Sequence, residues 1–234
     1  SKTIEGENEI HFTALQDGQV IQIDLQTPLI WKGASIEGCP IDSVEHKTPY
    51  VYLIHLKSAI KKGQTRILKI QYGGKPRRAF NPPWDGGFTW SKDKNGDDFI
   101  GTSCQGLGAS AWWPCKDHMY DEPDSMRISV TVPNPLMDVS SGRLEKITDL
   151  GNKKCFQWVV KNPINNYGVN LSIAHYVAFD ELYQGEKGPL ELRFYALIED
   201  EEKARKQFQQ VSKMLKAFEH WFGPYPFYED GYQL

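Results

Sequence analysis

Most of the chain alternates apolar and polar residues over short segments. Between residues 20 and 26, Ile21, Ile23 and Leu25 occupy every second position. Because successive side chains of a strand point to opposite faces, this spacing predicts a half-buried strand. The same alternation recurs at 128–132, 156–160, 169–173 and 192–196. Stretches rich in Gly, Pro or Asn separate the strands and predict tight turns; they lie at 73–76, 81–87 and 92–98. The pattern therefore predicts a mainly β fold of twisted antiparallel sheets in a sandwich or saddle arrangement.

Near residue 199 the period of the pattern changes. Apolar residues then recur every three or four positions, at Ala204, Phe208, Val211, Leu215, Phe218 and Phe222. This spacing predicts one amphipathic C-terminal α-helix, with acidic residues 199–202 at its start and Gly223-Pro224 at its end. A single helix cannot bury such a stripe alone, so it must pack on the β-domain or on a partner. The change predicts a domain boundary between 1–198 and 199–234.

Composition and charge exclude several classes of protein. The 27 Lys and Arg residues face 30 Asp and Glu, so the net charge of -3 disfavours a nucleic-acid partner. No apolar run approaches the ~20 residues of a membrane-spanning helix, and no secretory signal pattern begins the sequence. If the intact protein is exported, we expect its signal to have been removed already. Four scattered cysteines are too few for a disulfide scaffold, and they leave the cellular compartment open.

A glycine-rich loop runs into an aromatic patch between residues 101 and 117. It holds Thr102-x-x-Gln105, with Gln105 nine residues before the segment Pro114-Cys-Lys-Asp117. These motifs resemble the Thr-x-x-Gln/Glu element and the Pro-Cys-x-Asp motif of zinc aminopeptidases of the aminopeptidase-N and leukotriene hydrolase (gluzincin) family. Further resemblances follow in the family's order, at 3–12, 121–123, 128–133, 141–144 and 221–227. The last of these is similar to the Phe-Gly-x-Tyr-Pro segment that enters the family's catalytic domain.

The chain departs from the family pattern at three points. The family usually has Arg shortly before Pro-Cys, where this chain has Ser110, and the step from Asp117 to Pro123 is longer by a few residues. The first family strand is also missing. A divergent branch of the family accounts for the insertion and for the lost Arg.

The resemblance implies a zinc aminopeptidase whose catalytic residues lie beyond Leu234. Zinc peptidases of this type use two His one helical turn apart with a Glu base between them, and this sequence contains no His-Glu-x-x-His. The family's Gly-x-Met-Glu-Asn segment is absent as well. We therefore expect no catalytic and no metal-binding residue here, and a chain that is inactive alone. The implied partners are its own catalytic domain, of which 199–234 would be the truncated start, and peptides with a free amino terminus.

The resemblance also implies a substrate-binding residue. In the family, the side chain at the position of Gln105 projects into the catalytic cleft beside the substrate's amino-terminal residue. An amide carbonyl there can accept a hydrogen bond from the substrate ammonium. Ser103 and Gly106 flank Gln105 and are predicted to line the same wall. The alternative is a loop glutamine whose amide is satisfied by backbone groups.

Other features allow further interpretations. A second candidate function is a carbohydrate-binding β-sandwich that uses exposed tryptophans, and core packing is the alternative for these rings: Trp84, Trp90, Trp112 and Trp113. A third is a structural adaptor that docks through the terminal helix. An acidic turn is favoured over a metal site for His118, Asp121, Glu122 and Asp124. Cys104 and Cys115 either pair or, as favoured here, stay buried free thiols.

Overall fold

The computed structural model describes residues 2–47 and 49–234, which form two compact units. The first unit holds the residues up to Thr89, together with 102–121 and 165–168. The second holds the three remaining segments, 90–101, 122–164 and 169–234. The boundary predicted between 198 and 199 concerns the full-length protein, and it stays a prediction.

In the first unit, the alternating segments form two three-stranded sheets. The strands are β1 (Ile4–Thr13), β2 (Gly18–Asp24), β3 (Ile30–Ile36), β4 (Ile41–Lys47), β5 (Val51–Ile60) and β6 (Thr65–Gly74). One sheet has the order β1-β6-β3 and the other β2-β5-β4, and all four pairings are antiparallel. Apolar side chains from both sheets share one core, built from Ile23, Ile36, Cys39, Ile54, Leu56, Ile60, Leu68 and Ile70. Removing this surface from water is the main force that holds the two sheets together.

Two strands, β7 (Gly87–Lys92) and β8 (Asp98–Ser103), each have residues assigned to both units. The strands of the second unit are β9 (Met126–Pro133), β10 (Met137–Ser140), β11 (Arg143–Asp149), β12 (Lys153–Val160), β13 (Leu171–Ala174), β14 (Tyr176–Gly185), β15 (Gly188–Leu197) and β16 (Tyr232–Gln233). They form sheets of order β11-β12-β9, β10-β13-β8-β7 and β14-β15-β16. Antiparallel pairing prevails, although β16 runs parallel to β15. The predicted mainly β, antiparallel fold is confirmed.

The terminal helical segment is two helices rather than the single helix that the sequence predicts. They are α1 (Glu201–Phe208) and α2 (Val211–Phe222), and Gly223 ends the second with a φ of +82°. Val211 and Leu215 pack on the β14–β15 hairpin, whereas Phe218 and Phe222 are exposed. No helix among the described residues is long and apolar enough to span a bilayer.

On α2 the buried position after Leu215 is taken by Glu219, whereas Phe218 and Phe222 are exposed. Val211, Leu215 and Glu219 are four residues apart and share one helix face. The Glu219 carboxylate is buried, where it accepts hydrogen bonds from the hydroxyls of Tyr183 at 2.7 Å and Tyr228 at 3.0 Å. The buried face therefore continues through a satisfied carboxylate, and the helical period alone does not place Phe218 and Phe222 in the core.

A second buried carboxyl group belongs to Asp138 on β10. Its Oδ2 accepts hydrogen bonds from Trp158 Nε1 at 2.9 Å and from Ser140 Oγ at 3.1 Å. The residue is fully buried, and desolvation raises the pKa of Asp138 from 3.8 to about 7 against the opposite effect of these two donors.

Candidate substrate-binding loop

A tight turn follows the end of β8 and carries Gln105. The N–H groups of Leu107 and Gly108 both donate to the carbonyl of Cys104, at 3.1 and 2.9 Å. Gly106 and Gly108 have φ values of +72° and +85°, in the left-handed region that favours glycine. A side chain at Gly108 would also overlap the carboxylate of Asp117. The glycines after Gln105 therefore fix the shape of this turn.

Asp117, the last residue of the Pro-Cys-Lys-Asp segment, holds the loop from inside. Its carboxylate accepts the N–H groups of Ala109 at 3.2 Å and Ser110 at 3.0 Å, which begin a short 3-10 turn over Ala109–Ala111. The hydroxyl of Ser110 donates to the same carboxylate at 2.5 Å and accepts the amide of Gln26 at 2.9 Å. Ser110, which replaces the family's usual Arg, is thus an integral part of this anchor.

The loop is tied to β2 by residues that the sequence analysis missed. Asp24 exchanges two backbone hydrogen bonds with Cys115, at 2.8 and 3.1 Å, and its carboxylate accepts the N–H of Asp117 at 3.2 Å. The Gln26 amide also donates to the carbonyl of Leu107 at 2.7 Å. Asp24 and Gln26 occupy polar positions of the alternation between residues 20 and 26, so the pattern assigned them to solvent. The sequence gives no signal for them, because Asp24 and Gln26 alternate with apolar residues just as exposed polar residues do.

The three predicted substrate-binding residues lie together in this turn. Gln105 and Gly106 are exposed, and no hydrogen-bond partner for the Gln105 side-chain amide is found among the described residues. Ser103 Oγ donates to the carbonyl of Pro83 at 2.9 Å and accepts the N–H of Gln105 at 3.4 Å. The Ser103 hydroxyl therefore holds the turn, while the Gln105 amide is available to a ligand.

Three other interpretations of the sequence concern sugar stacking by tryptophans, pairing of cysteines and a metal site. Trp112 and Trp113 are buried and Trp90 is half-buried, so of the four tryptophans proposed for sugar stacking Trp84 alone is exposed. The four cysteines are free. Burial raises the pKa of Cys104 to about 11, so this thiol stays protonated at neutral pH. His118 Nδ1 accepts the N–H of Tyr120 at 3.2 Å, and no cluster of three His, Cys, Asp or Glu side chains suited to a metal occurs within 2–47 and 49–234.

Solved structures with the same fold are zinc metallopeptidases. One, an M1 zinc metallopeptidase from Deinococcus radiodurans, has a TM-score of 0.79 and 20% identity, and the match covers 99% of this chain and 51% of that one. A mutant from the same organism bound to a Tyr-Ser-Ala substrate has a TM-score of 0.75 and 20% identity, with coverage of 99% and 52%. A two-domain M1 mutant bound to L-arginine has a TM-score of 0.77 and 20% identity, with coverage of 99% and 52%. The chain thus shares the fold of these proteins and spans about half their length.

The family itself is identified from the sequence. Residues 1–167 match the model of the peptidase M1 N-terminal domain. The chain belongs to this family, which confirms the resemblance seen in the ordered motifs. No protein with a curated description matches the sequence.

Proposed function

We propose that this chain is the non-catalytic amino-terminal domain of a zinc aminopeptidase, in which it covers the catalytic cleft and recognises the amino terminus of the peptide substrate. The observation that carries the proposal is the exposed Gln105 amide, for which the described residues offer no hydrogen-bond partner, on a turn fixed by Gly106, Gly108 and Asp117. A fixed turn lowers the entropy lost when the amide binds a ligand. The amide oxygen accepts a hydrogen bond from the substrate ammonium, and Gly106 leaves the approach to it open.

Zinc belongs to the catalytic domain in this proposal. The sequence lacks His-Glu-x-x-His, and the described residues contain no cluster of three metal-binding side chains. The residues of this chain therefore do not fit the metal, and no catalytic step is assigned to them.

Exposed aromatic side chains on α2 support a covalently attached partner domain. Phe218, Trp221 and Phe222 are exposed on a helix whose first turns pack on the β14–β15 hairpin through Val211 and Leu215. Exposed apolar patches of this kind mark interfaces. The matched metallopeptidase chains are about twice as long as this one, and one of them is described as two-domain. We propose that these three rings pack against the catalytic domain.

Gln105→Ala tests the recognition step in the full-length enzyme. We expect kcat/KM for aminoacyl-nitroanilides to fall about 10- to 150-fold, mainly through KM, because a hydrogen bond to a charged group contributes about 1.5–3 kcal/mol. Gln16→Ala, at another exposed glutamine of the same unit, serves as the matched control and should leave both constants unchanged. An unaltered KM in Gln105→Ala would remove Gln105 from the substrate site.

The isolated chain provides a second test. Because it lacks the His-Glu-x-x-His ligands, we expect less than stoichiometric zinc after dialysis and no release of nitroaniline from aminoacyl-nitroanilides. Metal analysis and a colorimetric assay measure both. One tightly held zinc per chain, or hydrolysis that a chelator abolishes, would contradict the assignment of zinc to another domain.

A further inference from the structure

Two large aromatic rings project from the loop at residues 79–87, next to the Gln105 turn. Phe80 is 85% exposed and Trp84 is 75% exposed. By contrast, Trp112 and Trp113 in the same unit are buried. Leaving two such rings in water forgoes the burial that aromatic side chains usually gain on folding. A ligand that covers them would recover it.

The loop that carries the rings is held in one conformation. The Asp85 carboxylate accepts the N–H groups of Phe80 and Asn81, both at 2.8 Å, and the N–H of Trp84 donates to the carbonyl of Asn81 at 2.9 Å. The Arg77 guanidinium donates to the carbonyl of Gly86 at 3.2 Å and lies 5.8 Å from the centre of the Phe80 ring. Ordering on binding therefore costs this loop little, which is the condition for a preformed recognition element.

The same loop touches the Gln105 turn on both sides of Gln105. The carbonyl of Pro83 accepts the Ser103 hydroxyl at 2.9 Å. On the other side, a Cβ placed on Gly86 would lie 2.8 Å from Cδ1 of Leu107, so the Gly86 backbone packs directly on that side chain. The loop that carries Trp84 is thus in direct contact with Ser103 and Leu107, which stand on either side of Gln105 in the turn.

We propose that Trp84, together with Phe80, determines specificity by packing against an apolar or aromatic side chain of the peptide whose ammonium Gln105 binds. This inference rests on the function proposed above. The polar groups of the loop favour a peptide side chain over a sugar, because Asp85 and Arg77 are engaged by backbone groups of the loop itself.

The test compares tripeptides that carry Phe or Ala at one position at a time, with the full-length enzyme. In Trp84→Ala we expect the ratio of kcat/KM for the Phe and Ala peptides to fall about tenfold at one of these positions, in line with the contribution of apolar pockets to specificity. Phe80→Ala should lower the ratio less, and Trp84→Phe should restore most of it. Tyr50→Ala, which removes another exposed ring of the same unit, is the control and should leave the ratio unchanged.

Every other outcome contradicts either the specificity role of Trp84 or the proposed function. An active wild-type enzyme whose Phe/Ala ratio is the same in Trp84→Ala overturns this inference and leaves the proposed function intact. So does an equal loss for all peptides with a lower melting temperature, because that result assigns Trp84 to domain packing. Polysaccharide binding that Trp84→Ala abolishes assigns the ring to sugar recognition and also overturns it. A wild-type enzyme that releases no amino-terminal residue from any peptide removes the proposed function itself.

Discussion

Replacing Asp117 with alanine is expected to lower the free energy of unfolding by about 4 kcal/mol, since a buried donor left without a partner costs about 1–3 kcal/mol. The carboxylate accepts two backbone N–H groups and the Ser110 hydroxyl, and Ala109 and Ser110 are both fully buried. Alanine removes the carboxylate oxygens that accept these three hydrogen bonds. Urea unfolding of the isolated chain, followed by tryptophan fluorescence, measures the change.

Two further variants make this result specific to Asp117. Asp42→Ala removes an exposed carboxylate of the same unit and should change stability by less than about 0.5 kcal/mol. Asp117→Asn keeps one acceptor oxygen and should fall between the two alanine variants. If Asp117→Ala unfolds at the same urea concentration as Asp42→Ala, the carboxylate does not support the loop.

The second large effect concerns Asp138 and depends on pH. Its pKa of about 7 in the folded chain exceeds the usual value of 3.8, so the folded state binds the proton more tightly than the unfolded state. Stability from this group is therefore fully present below pH 3.8 and is lost as the pH rises to about 7. At about 1.4 kcal/mol per pKa unit, the loss is about 4 kcal/mol.

Asp138→Asn isolates this contribution. The asparagine oxygen can still accept the Trp158 and Ser140 hydrogen bonds, but the side chain does not ionise. The groups around Asp138 are these two donors and the hydroxyls of Tyr176 and Tyr195, whose pKa values lie above the tested range because burial raises them. Between pH 4 and 7 the variant should gain about 3 kcal/mol relative to the wild type, and only about 0.4 kcal/mol more up to pH 8, because Asp138 is half ionised at its pKa. A difference that stays constant from pH 4 to 7 would falsify the raised pKa.

The sequence predicts the strands well because apolar residues that alternate along a segment mark one buried face. Ile23 in β2 and Phe156 in β12 are buried as this period requires. The same rule places Asp24 in solvent, although it is buried beneath the loop. Periodicity records which side chains avoid water, and it does not record which polar side chains find a distant hydrogen-bond partner.

The candidate site shows the same limit. Gln105, Ser103 and Gly106 are neighbours in sequence, so a motif is enough to bring them together. Asp24 and Gln26 hold the loop through hydrogen bonds to residues 107–117, although they lie far from it in the sequence. Likewise, the helical period marks Phe218 and Phe222 as core residues, whereas they are exposed and Glu219 is buried, with two tyrosine hydroxyls donating to its carboxylate. Tertiary hydrogen bonds decide these positions.

The short strand β16 protects the edge of β15 from pairing with another chain. It covers one edge of β15. There the backbone N–H of Tyr195 donates to the carbonyl of Leu234, and the backbone N–H of Leu234 donates to the carbonyl of Arg193. A polypeptide ended at residue 198 would lose this strand and both helices, baring the backbone of β15 at Leu192 and Arg193 and the ring of Phe194, on which Phe208 of α1 stacks. Exposed strand edges recruit other chains. We therefore expect residues 199–234 to oppose self-association, because they cover the edge and one face of the β14–β15 hairpin.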